Sequence, residues 1–265
     1  MNLFFLIRRA KLLFYMRKKL ISSKEDYFAF LKKCAEEYKP QTLVVKDATA
    51  EIDADCNVLF CKIDAHRDLA ERFGFPFSSE RSDKENALAI MRHLTEHTHY
   101  CGYTKNILPD DGAEILQNSF NLPFEKALNC RSKAIALTDV LNAVGIKALP
   151  VCATAESGCH FLVHVWLKEE NRFIVLDPSF NCSFHDESGK ALSVFALRDS
   201  IIQHRTVRID GYAFLGTDAF KDYYFSAFVS DVLENIATWK TNQRGKKEMS
   251  KVCGAAFHTR VPRTL

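Results

Sequence analysis

Cys130, His164 and Asp177 have the types, and occur in the order, that nucleophilic chemistry at a carbonyl needs. A thiolate attacks the carbonyl carbon. An imidazole protonates the leaving amine and then activates the second acceptor, while a carboxylate fixes the imidazole tautomer and supports its charge. Ala134, Leu137, Leu141 and Val144 recur at helical spacing. That predicts a helix over residues 130–144 which opens at Cys130 and ends at Gly145, a left-handed C′ residue. A cysteine in the first turn gains from the free amides and the helix dipole, and a neighbouring imidazolium adds to this. The Cys130 amide is the natural first oxyanion donor. Asn129 and His160 are candidates for the second donor, and Trp166 for a substrate contact.

These side chains need a scaffold to bring them together. Residues 146–153, 160–168 and 172–176 read as strands, with Pro178 ending the last. A fifteen-residue helix runs about 22 Å, and an eight-residue strand about 26 Å. A strand returning antiparallel to the helix therefore ends near Cys130, and the next strand starts there. This brings residues 160–164 within reach of the thiol. With Glu170-Asn171 as a two-residue turn, Glu169 faces Arg172 and His164 faces Asp177. Directly opposite side chains share a sheet face with Cβ atoms about 5 Å apart. A slip of one residue would send Asp177 to the other face.

Several short segments carry a family resemblance: Asn129-Cys130-Arg131-Ser132-Lys133-Ala134, Leu137 to Leu141, Gly145-Ile146-Lys147-Ala148, His164-Val165-Trp166 and Leu176-Asp177-Pro178-Ser179. In this order they resemble the core of the transglutaminase-like superfamily. The resemblance implies an α+β fold with a papain-like core, in which the cysteine-bearing helix packs on an antiparallel sheet beside additional flanking helices. It also implies cysteine acyl-transfer chemistry, as a peptidase, amidase or acyltransferase, with Cys130, His164 and Asp177 as the triad and no cofactor. The substrate would be a peptide, amide or thioester, and the acceptor water or an amine. The chain departs from the family at Leu149, where members usually carry arginine.

Other constellations point elsewhere. His93-Leu94-Thr95-Glu96-His97 matches H-x-x-E-H, a zinc-hydrolase pattern that sets two histidines on one helix face. Glu169 and Glu170, the downstream carboxylates, sit in the turn already assigned, and a surface helix face is the simpler reading. Cys152, Cys159 and His160 have ligand types but no common zinc spacing, and their apolar neighbours favour core packing. No metal is therefore expected. No glycine-rich phosphate loop is present.

The chain has 265 residues, 47% of them hydrophobic and 26% charged, enough for a sizeable core. A net charge of +3 argues against nucleic acid as the main partner. Nine cysteines without a framework fit a reduced, cytoplasmic protein. The apolar start, Met1 to Ile7, is too short and too soon interrupted by Arg8 and Arg9 for a secretion signal, and no integral membrane span is expected.

Residues 1–40 read as a basic helical extension, 41–240 as the transglutaminase-like domain with its catalytic core at 120–182, and 241–265 as a basic flexible tail. The basic ends could dock an acidic protein such as a carrier domain, with solvated tails the simpler alternative. Ser82 to Glu85 forms a capping box opening a helix to His97. Further helices are expected at 25–38, 67–73, 113–119 and 218–239, strands at 42–46 and 57–63, and a polar loop at 183–190. A non-catalytic interaction module on the same fold is the reading from a different class.

Overall fold

The computed structural model describes residues 41–47, 68–100, 111–121, 127–155, 158–203, 205–211, 235–241, 247–254 and 256–262. In chain order the elements begin with β1 (Gln41–Asp47), α1 (Leu69–Arg72), α2 (Asp83–His97), β2 (His99–Tyr100), α3 (Gly112–Asn121), β3 (Ala127–Leu128) and α4 (Cys130–Ala143). They continue with β4 (Ala148–Ala155), β5 (Gly158–Leu167), β6 (Arg172–Asp177), β7 (Cys182–His185), α5 (Val194–Ile202) and β8 (Arg208–Gly211). The last are β9 (Asn235–Thr241), β10 (Lys247–Gly254) and β11 (Ala256–Pro262). The architecture is α+β, built on a seven-stranded sheet of order β10-β9-β4-β5-β6-β7-β8 whose neighbours pair antiparallel.

The helix ends follow their sequence signals. Ser82 accepts from the Glu85 amide while Glu85 reaches back to the Ser82 amide, so the expected capping box opens α2. Asn129 Oδ1 accepts from Ser132 N at 2.9 Å and caps α4. Gly145 closes α4 with φ 84°, a left-handed conformation open to glycine, and Ile146 N donates back to Leu141 O. That closure occupies Ile146, so β4 starts at Ala148 and not at 146.

Helix α4 is buried on nearly every side. Ala134, Leu137 and Leu141 join Phe161, Val163, Val165, Ile174 and Leu176 of the sheet, with Ile90 and Leu94 of α2 and Ile115 and Leu116 of α3, in one core. Its polar groups are used by neighbours. Asp139 Oδ2 accepts from Gly112 N at 2.7 Å, and Asn142 bonds both Ala148 N and Ala148 O. A helix held this way fixes where its first residue sits.

Three expectations are corrected. The segment 183–190 is not all loop: Cys182–His185 forms β7, because its backbone completes the ladder with β6 and β8. The helix expected to reach Trp239 does not, since Asn235–Thr241 is a strand between β4 and β10. The expected flexible tail supplies β10 and β11. Lysines are what an edge strand such as β10 tolerates, and a basic composition does not exclude pairing. Helix α5, capped by Ser193, had not been expected. The elements expected over residues 1–40 and 57–63 lie outside the described residues, as does the start of the 218–239 helix.

Candidate active site

Cys130 is the first residue of α4 and is half-buried. Two short strands hold the approach to it. β3 ends two residues before the cysteine and pairs in parallel with β2, matching Tyr100 with Leu128. Lys133, buried one turn into α4, donates from Nζ to Thr98 O at 3.4 Å and so ties the helix start to the end of α2.

His160 stands near the start of β5, opposite Ala153 of β4. Its Nε2 lies 2.6 Å from Oδ2 of Asp177, the last residue of β6. The ring is 2% exposed and the carboxylate 0%. The other carboxylate oxygen, Oδ1, accepts from Ser179 N at 2.7 Å, in the turn that Asp177-Pro178 begins. Tyr100 stands edge-on to the imidazole at 6.5 Å, and Phe180, 5.0 Å from Tyr100, lies 6.5 Å from it.

The Cys130 thiol is near enough to the same imidazole to raise its pKa. With Nε2 turned to the carboxylate, Nδ1 is the nitrogen left to serve the sulfur. Burial is the strongest single influence on His160 and lowers its pKa. The charge and hydrogen bond of Asp177, then those of Cys130, overcome it and carry the pKa up to about 10. The imidazole is therefore a cation at neutral pH, between a carboxylate and a thiol. Sulfur, imidazole and carboxylate arranged in this order can supply a nucleophile and an acid and hold the acid in place.

Geometry corrects the expected pairing of His164 with Asp177. The β5–β6 hairpin closes at Leu167 and Arg172, leaving a four-residue loop instead of a two-residue one. Contacts to α2 hold that loop, with Glu169 accepting from Asp83 N and Lys168 paired with Asp83, and Asn171 takes φ 51°. His164 then faces Val175, not Asp177. The shift is two residues, so face parity survives. Continuing the ladder puts Asp177 opposite Leu162, with His160 and His164 at the two diagonal positions, and the carboxylate goes to His160. His164 stacks on Phe173 at 4.3 Å and meets Phe195 of α5 edge-on, with no hydrogen-bond partner on its buried Nε2. Burial alone pushes its pKa down to about 3.

The remaining candidates fall as follows. Asn129 lies beside the thiol, where its side-chain oxygen caps the helix. Trp166 sits six residues along β5 from His160, roughly 20 Å away at strand rise, against Phe173. Leu149, at the family's arginine position, is buried on β4 opposite His164. His93 and His97 share a helix face as expected, but their rings stack on each other at 4.1 Å and pack against Phe120, while Glu96 is exposed. Among the described residues, no third ligand type joins them to form a metal group. The sequence places His160 within reach of the thiol but offers it as an oxyanion donor or a metal-ligand type, not as the partner of Asp177. The signal for its actual place was its diagonal position to Asp177, visible only in the true register.

No protein-family model and no curated protein matches the chain. Among solved structures, the chain is similar to "a Putative Cysteine Protease from Cytophaga hutchinsonii", with 20% identity over 58% of this chain and 48% of that one and a TM-score of 0.31. It is also similar to "a putative protease from Parabacteroides distasonis", with 12% identity over 64% of this chain and 31% of that one and a TM-score of 0.30. The chain thus spans less than half the length of either. The site rests on its own geometry.

Proposed function

We propose that this chain is a thiol enzyme of papain-like and transglutaminase-like architecture, with Cys130 as nucleophile, His160 as general acid and base, and Asp177 as the residue that holds His160. One observation carries the reading: a single buried imidazole bonds the Asp177 carboxylate at 2.6 Å and lies within electrostatic reach of the thiol at the start of α4. His164, expected in the histidine role, belongs to the aromatic cluster with Phe173 and Phe195.

In the reaction, the Cys130 sulfur, its proton held on His160, forms a bond to the substrate carbonyl carbon, and the carbonyl electron pair moves to oxygen. The Cys130 amide, free in the first helical turn, donates to that oxygen. When the pair returns, the bond to the leaving nitrogen breaks and His160 delivers its proton there. An acyl-cysteine thioester remains. Water or an amine then attacks it, giving its proton to His160, and the thiolate leaves. Water as acceptor makes the activity that of a peptidase or amidase. An amine makes it an acyltransferase. Peptides, amides and thioesters are the substrate class.

The test is incubation of the intact chain with a panel of peptide amides and acyl thioesters, read by mass spectrometry. An acyl adduct confined to Cys130, formed more slowly in His160→Ala but persisting longer there because deacylation has lost its base, is the expected result. Uniform slow acylation of all cysteines, unchanged by His160→Ala, would instead indicate a non-catalytic interaction module.

A further inference from the structure

The end of α2 reaches the surroundings of all three members of the proposed triad. Thr95, in its last turn, places Oγ1 3.2 Å from Pro178 O, in the turn that follows Asp177, and 2.9 Å from Met91 O of its own helix. Thr98 O accepts from Lys133 Nζ, one turn into the helix that Cys130 opens. Tyr100 pairs with Leu128, two residues before Cys130, and lies 5.0 Å from Phe180 and 6.5 Å from His160. Helix α2 is itself fixed by its capping box and by Ile90, Met91 and Leu94 in the core.

The contact from Thr95 falls on one particular peptide group. Pro178 C=O and Ser179 N–H belong to the same trans, planar unit, so they point in opposite directions and turn together. Thr95 donates to the carbonyl end, and the amide end donates to Asp177 Oδ1 at 2.7 Å. The other carboxylate oxygen, Oδ2, holds His160 Nε2 at 2.6 Å. Thr95, Asp177, Ser179 and His160 are all buried, where linked bonds of this kind reinforce one another. A helical serine or threonine usually bonds the carbonyl four residues back, as Ser119 does to Ile115 O in α3. Thr95 shares its one proton between that kind of contact and the turn.

We propose that Thr95 is a positioning residue: through the Pro178–Ser179 peptide it fixes the Asp177 carboxylate, and through that carboxylate the His160 ring. The catalytic consequence rests on the thiol-enzyme reading above, whereas the bonding path from Thr95 to His160 stands without it. Rotation of the peptide would swing the Ser179 amide off Oδ1 and free the carboxylate to turn away from Nε2. A small misplacement of the acid–base group then costs rate without removing any reacting atom.

Pro178-Ser179 is the one Pro-Ser pair in the sequence, so proline labelled with carbon-13 at the carbonyl and serine labelled with nitrogen-15 single out this peptide by NMR in the full chain. Thr95→Val keeps the branched shape and loses the hydroxyl. In it the Ser179 amide proton should shift and exchange roughly 3–10-fold faster, the worth of one hydrogen bond. Alkylation of Cys130 by chloroacetamide should slow by roughly 10–100-fold. Thr95→Ser keeps a donor and should restore both. Ser119→Ala, which removes a hydroxyl bonded within α3, should move neither. An unmoved Ser179 amide in folded Thr95→Val overturns the proposal, as does a shifted amide with Cys130 reacting at its full rate. If Thr95→Val fails to fold, the unaltered chain decides: a Pro178 carbonyl carbon without the downfield shift of a hydrogen-bonded carbonyl overturns the proposal. A Cys130 no more reactive than the other cysteines of the unaltered chain would overturn the thiol-enzyme reading, and the catalytic role of Thr95 with it, while the Ser179 amide still reports on the path from Thr95.

Discussion

His160 Nε2 and Asp177 Oδ2 lie 2.6 Å apart with both side chains buried, and Ser179 N occupies the other carboxylate oxygen. The carboxylate is thereby fully committed, and the imidazole can turn only one nitrogen toward the thiol. The two histidines of β5 should therefore behave very differently. His160→Ala should slow selective alkylation and acylation of Cys130 by roughly 10²–10⁴-fold, the usual worth of a positioned acid–base group. His164→Phe should leave both rates within a few-fold. Rates with chloroacetamide, followed by intact mass, check this. Equal losses from the two variants would exclude the assignment.

The same pair has a pH signature. The folded His160 pKa is raised to about 10 from an ordinary 6.5. A raised pKa means the folded chain holds the proton more tightly, so the stabilisation is complete below about pH 6.5 and is lost as pH rises through about 10. Asp177→Asn removes the charge partner. Breaking one side of a buried pair costs about 3–5 kcal/mol. Urea unfolding of both proteins at several pH values should show that deficit near pH 6 and a smaller one by pH 10.

His164 gives the opposite sign. Burial alone holds its pKa down at about 3 against 6.5. The unfolded chain binds this proton first, so the stabilisation stands above pH 6.5 and is lost as pH falls toward 3. Phenylalanine at this position keeps the stacking on Phe173 and has nothing to titrate. In His164→Phe the acid limb of stability between pH 6.5 and 3 should be shallower by up to one proton, read from unfolding midpoints. An unchanged limb would mean that the ring is not buried neutral.

Much of the scaffold was legible because local chemistry decided it. Ser82 with Glu85, Asn129 before an apolar stripe, and Gly145 after it mark helix ends by which backbone groups they satisfy, and α2 and α4 begin where those signals lie. The order of cysteine, strand histidines and aspartate was legible for the same reason. Which histidine bonds Asp177 was not. His160 and His164 share a face, and choosing between them required the length of the β5–β6 loop, which contacts from Asp83 on a distant helix determine. β7, β9, β10 and β11 were missed on similar grounds. Their polar and basic residues read as loop, helix or tail, and only pairing with neighbours makes them strands.

The placement of α4 against α3 allows a test away from the thiol. A Cβ added at Gly112 would lie 2.7 Å from both Cβ and Oδ2 of Asp139, whose carboxylate accepts from Gly112 N. Asp139 is on a buried helix and has little room to retreat. Gly112→Ala should destabilise the chain by about 1–3 kcal/mol, the usual cost of overpacking. The unfolding midpoint should fall while the alkylation rate of Cys130 in the folded fraction stays unchanged.

Asn129 stands next to the proposed nucleophile, and two roles compete for it: helix cap or oxyanion donor. Its Oδ1 already accepts from Ser132 N at 2.9 Å, which is the capping contact. Loss of a cap costs about 0.5–2 kcal/mol of stability, whereas loss of an oxyanion donor costs about 10²–10³ in rate. Serine preserves the cap, because its hydroxyl accepts from the same amides, but cannot place an amide donor where Asn129 holds one. Asn129→Ser should therefore match the unaltered chain in both stability and acylation rate, and Asn129→Ala should lose stability with only a small change in rate. A serine variant that folds normally but acylates a hundredfold slower would assign the Asn129 amide to the oxyanion hole.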